Sequence, residues 1–191
     1  MSERPDAATG RPWPPGFARL MSAQFLSALA DQALLIVAIG RLQAQGLPGW
    51  WAPVLKLGFN ASYVLLAPVA GPLADAWPKA RVMAWMNGVK VLGTLGLLAG
   101  VHPVAAYALV GLGAAAYAPA KYGIVTEMVP PDRLVAANGW IEVSVVMAAL
   151  LGLGLGGALA GPGFAERIGP AALDVATGVL LLLYGAAAAL Q

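Results

Sequence analysis

Asp31 is a carboxylate in the middle of an apolar stretch, Gln24-Phe25-Leu26-Ser27-Ala28-Leu29-Ala30-Asp31-Gln32-Ala33-Leu34-Leu35. A charge at the centre of a hydrocarbon span costs roughly 2.5–3.5 kcal/mol on insertion scales, so such a group faces a bundle interior or a wet cavity. At helical pitch Gln24, Ser27 and Asp31 share one face, while Phe25, Leu29 and Ile36 point mostly elsewhere. The stripe could meet a cationic substrate group or carry a coupling proton or sodium ion. It could also close an internal ion pair with Lys90, which lies near the middle of another apolar segment with Asn87 one turn earlier on the same face. Intramembrane charges default to function. The expectation is therefore that Asp31 borders a watery vestibule rather than a clasp closed within its own bundle.

Other chemistries lack their residues. The chain has no paired carboxylates, no Ser/His/Asp arrangement and no strand-borne phosphate loop. Gly152 to Gly157 reads as a packing tract, since no Lys-Ser or Lys-Thr follows it. The lack of cysteine excludes disulfides, thiolate metal sites and cysteine nucleophiles together. A single histidine, His102, leaves little for zinc or haem. Neither an enzyme nor a cofactor is expected.

The elements that position the stripe follow from composition. Hydrophobic residues make up 60% of the chain and charged residues 10%, against about 45–50% and about 25% in soluble domains, which places it in a membrane. In that setting the 24 glycines and 15 prolines are packing and kinking residues rather than marks of disorder. A net charge of +2 is too mild to argue for a nucleic-acid partner.

Residues 1–16 are polar and Pro-rich and are expected to form a short disordered tail. They do not read as a signal peptide, because the apolar stretch that follows exceeds an h-region, carries Asp31 and lacks a clear cleavage site. Residues 17–191 are expected to form an all-α bundle of six membrane spans. These run from Phe17 to Leu42, Ala52 to Ala76, Ala80 to Gly100, Val104 to Tyr122, Ala136 to Gly161 and Ala171 to Leu190. Short connections favour antiparallel neighbours. With the amino terminus inside, the cytoplasmic side receives Arg4, Arg11, Arg19, Lys79, Arg81, Lys121 and Arg133, and the opposite side Arg41, Lys56 and Arg167. That is the positive-inside pattern, and it puts both ends of the chain in the cytoplasm. The Trp50-Trp51 pair fits an outer aromatic belt.

Small residues at four-residue spacing predict close helix contacts at Gly152 and Gly156, Gly157 and Gly161, and Gly96 and Gly100. They serve either static packing or helices that slide during transport.

The connection between the second and third spans reads Gly71-Pro72-Leu73-Ala74-Asp75-Ala76-Trp77-Pro78-Lys79-Ala80-Arg81. A glycine, an aspartate four residues on and then basic residues resemble the signature loop of the major facilitator superfamily. Gly71 would admit a neighbouring helix, and Asp75 at a helix end would pair with a cation or cap another helix. The resemblance implies a latch between transporter halves in the outward-open state. Ala76 and Pro78 depart from the basic residue and glycine usual in that loop.

The segment GLGAAAYAPAKYGIVTEMVPPDRLVAANG from Gly111, with QFLSALADQALL, Asn87-Gly88-Val89-Lys90 and Glu142, resembles the bacterial lysophospholipid transporter family of that superfamily. The likeness runs in order from about Gln24 to Tyr184, with Gln32 where Asn is usual beside the aspartate. It implies a flippase bringing lysophosphatidylethanolamine and lysophosphatidylglycerol across the inner membrane of Gram-negative bacteria. An acyltransferase–acyl carrier protein synthetase, sometimes fused to the transporter, would reacylate them. Superfamily transporters have two six-helix halves with substrate between them. This chain therefore reads as the amino-terminal half, either a piece of a longer transporter or a natural half that dimerises. A carboxy-terminal six-helix half is its expected partner, and alone it should self-associate or depend on detergent.

The same likeness suggests roles. Asp31 would meet an ethanolamine amine, carry the coupling ion, or pair with a basic residue of the missing half. Lys90, on a span peripheral in the superfamily, is expected to be a structural partner. Lys121, ending the fourth span one turn after Tyr117, would attract the lysolipid phosphate or snorkel to anionic membrane lipids. Glu142, one turn after Asn138, is expected to gate the inner mouth through a salt bridge to Lys121 or Arg133. Gln24, Ser27, Asn60 and Tyr63 would bond a glycerol hydroxyl or neighbouring helices, and Asp174 is expected to be interfacial. Rival functions are export of drugs or metabolites on the same fold, or a membrane scaffold for the acyltransferase.

Overall fold

A computed structural model of the protein describes residues 13–191, apart from the side chains of Ala74 and Asp75. Arg4, Arg11 and the Asp75 carboxylate of the loop therefore lie outside the described residues. The helices are α1 (Phe17–Ala44), α2 (Trp51–Ala76), α3 (Lys79–Leu98), α4 (Pro103–Met128), α5 (Leu134–Ala160), the short α6 (Pro162–Ile168) and α7 (Ala172–Ala189). No strand occurs among the described residues.

Local chemistry sets the breaks. Gly100 turns the chain after α3 with a φ of 82°. The following His102 caps α4, its ring nitrogen accepting the Val104 N–H at 3.3 Å, with Pro103 at the first helical position where no donor is needed. Pro130 stands in the turn before α5, and Pro162 opens α6 at its first helical position.

The packed pairs run α2–α4, α4–α3, α3–α7, α7–α1 and α1–α5, with α1 also touching α4 and α2. The six long helices thus curve round, and α2 and α5 end the series on either side of α1 and α4. In lipid, association rests on close packing rather than on expulsion of water. A β-carbon at Gly152 would sit 2.5 Å from the Leu29 carbonyl, and one at Gly156 2.6 Å from the Ala33 carbonyl, so α5 lies against the backbone of α1. Gly113 lies as tightly against Met86 of α3, and Gly111 against Phe59 of α2.

Several expectations need correcting. Among the described residues five helices are long and apolar enough to cross a membrane, and α3 is the exception among the six long ones. Lys79, Arg81, Asn87 and Lys90 lower its apolarity, yet Asn87 and Lys90 are buried within the bundle. α4 continues past Tyr122 to Met128, so Lys121 is inside a helix rather than at its end. A β-carbon at Gly71 or Gly157 would meet nothing within 4 Å among the described residues, so no described helix packs on either, and Gly96 and Gly100 serve the α3–α4 turn. Trp13, assigned to the tail, stacks on Phe17 with ring centroids 4.4 Å apart.

Two apolar clusters bracket a polar layer. One gathers Leu34, Val37, Tyr107, Val110 and Leu180, the other Leu20, Val82, Met83, Val125 and Ile141. Along α1 and α3 the chain passes from one cluster to the other through Gln24 and Ser27, and Asn87 and Lys90, while on α4 the second cluster begins at Tyr117.

Candidate functional site

That layer borders a cavity of about 180 Å³. Its lining includes Gln24, Ser27, Asp31 and Gln32 of α1, Phe59 and Tyr63 of α2, Lys90 of α3, Tyr117 and Lys121 of α4, and Val145 of α5. α1 supplies the polar stripe because its other faces meet Gly152 and Gly156 of α5 and the apolar cluster around Leu34.

On the closed side of the cavity, polar groups satisfy one another. Lys90 Nζ donates to Asp31 Oδ2 at 2.7 Å and to Ser27 Oγ at 2.9 Å. Tyr184 donates its hydroxyl to the other carboxylate oxygen at 2.7 Å, and Tyr107 donates to the Asp31 carbonyl at 3.2 Å. Ser27 donates to Asn87 Oδ1 at 2.7 Å. Lys90 also lies 5.3 Å from the Tyr117 ring centre and 5.7 Å from that of Tyr184. Both oxygens of Asp31 thus have donors, and its charge is cancelled by a lysine that is only 2% exposed. A pair this well hydrogen-bonded can persist in a low dielectric, where either charge alone would be strongly unfavourable. A vestibule rather than an internal clasp was expected. The clasp is present, because Lys90 and Tyr184 of the same bundle hold both carboxylate oxygens, and Asp31 stands in the cavity lining as well.

On the open side, Lys121 is 8% exposed and lines the cavity. Its ammonium has no hydrogen-bond acceptor or ion partner among the described residues and lies over the face of the Tyr122 ring, 4.5 Å from the centroid. The expected salt bridge from Glu142 to Lys121 or Arg133 does not occur among the described residues. Glu142 accepts the Tyr122 hydroxyl at 2.7 Å instead, and the Arg133 guanidinium lies 4.2 Å from the Trp13 ring centre. Both cations lie over an aromatic ring, whose π-face attracts a guanidinium or an ammonium.

The remaining predicted residues scatter. Gln24 bonds Ser144 of α5 at 2.7 Å, tying α1 to α5 at the cavity wall. Tyr63 lines the cavity, but Asn60 is exposed and outside the lining. Lys79 bonds Glu127 at 2.5 Å, joining the start of α3 to the end of α4, while Gly71 and Arg81 are remote from the cavity lining. At the other end of the bundle Arg41 pairs with Asp174 at 2.7 Å and also donates to Thr177 and the Leu173 carbonyl.

Sequence reasoning missed Tyr107, Tyr184, Ser144, Tyr122 and Glu127. The signal for Tyr184 was present: a hydroxyl in the run Leu180-Leu181-Leu182-Leu183-Tyr184 needs a buried partner. Tyr122 left no such trace, since its role depends on a helix distant in sequence.

A six-helix membrane bundle with a polar cavity among its helices is the half-transporter architecture, and residues 20–190 match the Major Facilitator Superfamily. The chain belongs to that superfamily. Over 148 residues it is 48% identical to the "Lysophospholipid transporter LplT" of Salmonella paratyphi B, and 49% identical to the proteins of the same name from Salmonella agona and Salmonella typhi. Each match covers 78% of this chain and 37% of the relative.

Proposed function

We propose that this chain is the amino-terminal six-helix half of a transporter that moves lysophospholipids across the bacterial inner membrane for reacylation. The observation that carries this reading is the charge arrangement of the cavity. Asp31 and Lys90 cancel, leaving Lys121 as a buried cation whose ammonium has no acceptor among the described residues. A phosphodiester, the group shared by every lysophospholipid, is the complement of such a site. Phe59, Ala114, Ala118 and Val145 add apolar surface to the same lining, which suits hydrocarbon beside the headgroup. A polar headgroup and a hydrocarbon tail could then cross together as the two halves rock about the site. The names of the Salmonella relatives support the same substrate.

In this reading Asp31 maintains the wall by holding Lys90, and Lys121 makes the contact with the lipid. The amino terminus lies in the cytoplasm, since Arg19, Lys79, Arg81 and Arg133 fall at one end of the bundle and Arg41, Lys56 and Arg167 at the other. The missing half closes the cavity, and an acyltransferase–acyl carrier protein synthetase consumes the product. The chain itself performs no covalent chemistry.

The test is uptake of labelled lysophosphatidylethanolamine by vesicles from cells expressing the gene's full product. Lys121→Gln should lower uptake at limiting substrate by roughly tenfold, the order expected for losing a desolvated charge contact. Undiminished uptake in Lys121→Gln, or transport of a drug panel in place of lysolipid, would overturn the reading.

A further inference from the structure

Glu142 presents a puzzle for any anion site at Lys121. The carboxylate and the ammonium meet the same tyrosine, Tyr122, from two sides, and a flexible glutamate beside an unpaired lysine ordinarily closes onto it. Here it does not. Tyr122 stands between them, its hydroxyl donating to Glu142 Oε1 at 2.7 Å while its ring face takes the Lys121 ammonium at 4.5 Å. A hydroxyl-to-carboxylate bond is charge-assisted and directional, and a ring face attracts a cation without neutralising it. α4 and α5 otherwise touch little, so this bond also spans the gap between the two helices beside the cavity.

We propose that Tyr122 is a positioning residue that holds Glu142 off Lys121, so that the ammonium stays available to the phosphate of the transported lipid. Glu142 is then a latent competitor for Lys121 rather than a gate partner. The inference rests on the reading of Lys121 as the phosphate contact. It goes further by assigning specificity to a residue that need not touch the substrate.

Tyr122→Phe keeps the ring under Lys121 and releases Glu142, which can then pair with the ammonium. Uptake kinetics in vesicles from cells expressing the gene's full product should show KM raised roughly five- to tenfold, the scale of a partly screened ion pair, with kcat nearly unchanged. The shift should be equal for lysophosphatidylethanolamine and lysophosphatidylglycerol, because they share the phosphodiester. Tyr122→Phe combined with Glu142→Gln should return KM to the wild-type value, and Glu142→Gln alone should leave KM at or below it. A wild-type KM in Tyr122→Phe overturns the proposal. So does a defect that persists in the double variant, which would mark the hydrogen bond as a plain helix tie, or a shift confined to one headgroup. Should Tyr122→Phe fail to accumulate, Glu142→Gln still decides: a KM raised as far as in Lys121→Gln would show Glu142 to be needed rather than held away. Lys121→Gln separates the two levels, since an effect there with none in Tyr122→Phe retains the phosphate site and discards its guard.

Discussion

Lys90 and Lys121 stand in the wall of one cavity and are buried to similar degrees, 2% and 8% exposed. Their surroundings differ in one respect. Lys90 has a carboxylate, a serine hydroxyl and two aromatic faces within reach. Lys121 has one aromatic face. Helix neighbours account for the contrast. α3 packs against α4 and α7 and lies across the polar layer from α1, so its lysine meets Asp31 inside the wall. Lys121 lines the cavity from α4, and the Glu142 carboxylate of α5 is taken by Tyr122. Two residues of one type and near-equal burial thus divide into a group that holds the wall and a group that the wall presents.

The contrast can be broken at its stronger side first. Asp31→Ala leaves Lys90 buried and uncompensated, and loss of a buried partner costs about 3–5 kcal/mol. Thermal unfolding in detergent should show that loss, and Lys90→Met in the Asp31→Ala background should recover part of it. Next comes the packing that presses the polar stripe inward. Gly156→Val would drive a side chain into the Ala33 backbone and is expected to cost about 1–3 kcal/mol as an overpacked contact. At the opposite end, Asp174→Asn weakens a pair whose carboxylate side chain is 60% exposed, so a change of about 0.2–1 kcal/mol is expected in the same measurement. Lys121→Gln should move stability least, within about 0.5 kcal/mol, while it lowers lysolipid uptake. A large stability loss in Lys121→Gln would erase the distinction between the two lysines.

The spans were largely legible because a bilayer imposes a length and an apolarity that any twenty-residue window reveals. α3 was legible as an element and atypical as a membrane span, since Lys90 and Asn87 lower its apolarity and are buried by neighbours the window does not see. The packing glycines were half legible. Gly152 and Gly156 do meet α1, but Gly71, at an equally suggestive position in its motif, faces open space. Four-residue spacing identifies a smooth helix face without saying whether another helix lies on it.

For the site, Gln24, Ser27, Asp31, Lys90, Tyr117 and Lys121 were identifiable as polar groups in apolar surroundings, and all of them line the cavity. Their partners were not. The sequence by itself determined that the chain lies in a membrane, where its helices run, and which polar residues they carry into the hydrocarbon. Those properties follow from composition and from short-range periodicity. Packing of helices far apart in the chain is what clasps Asp31 with Lys90 and Tyr184, holds Glu142 on Tyr122, and leaves Lys121 in the cavity lining. Those contacts join α1 to α3 and α7, and α4 to α5. The strength of a charge contact varies with distances of a few ångströms between separate helices, which no one-dimensional pattern encodes.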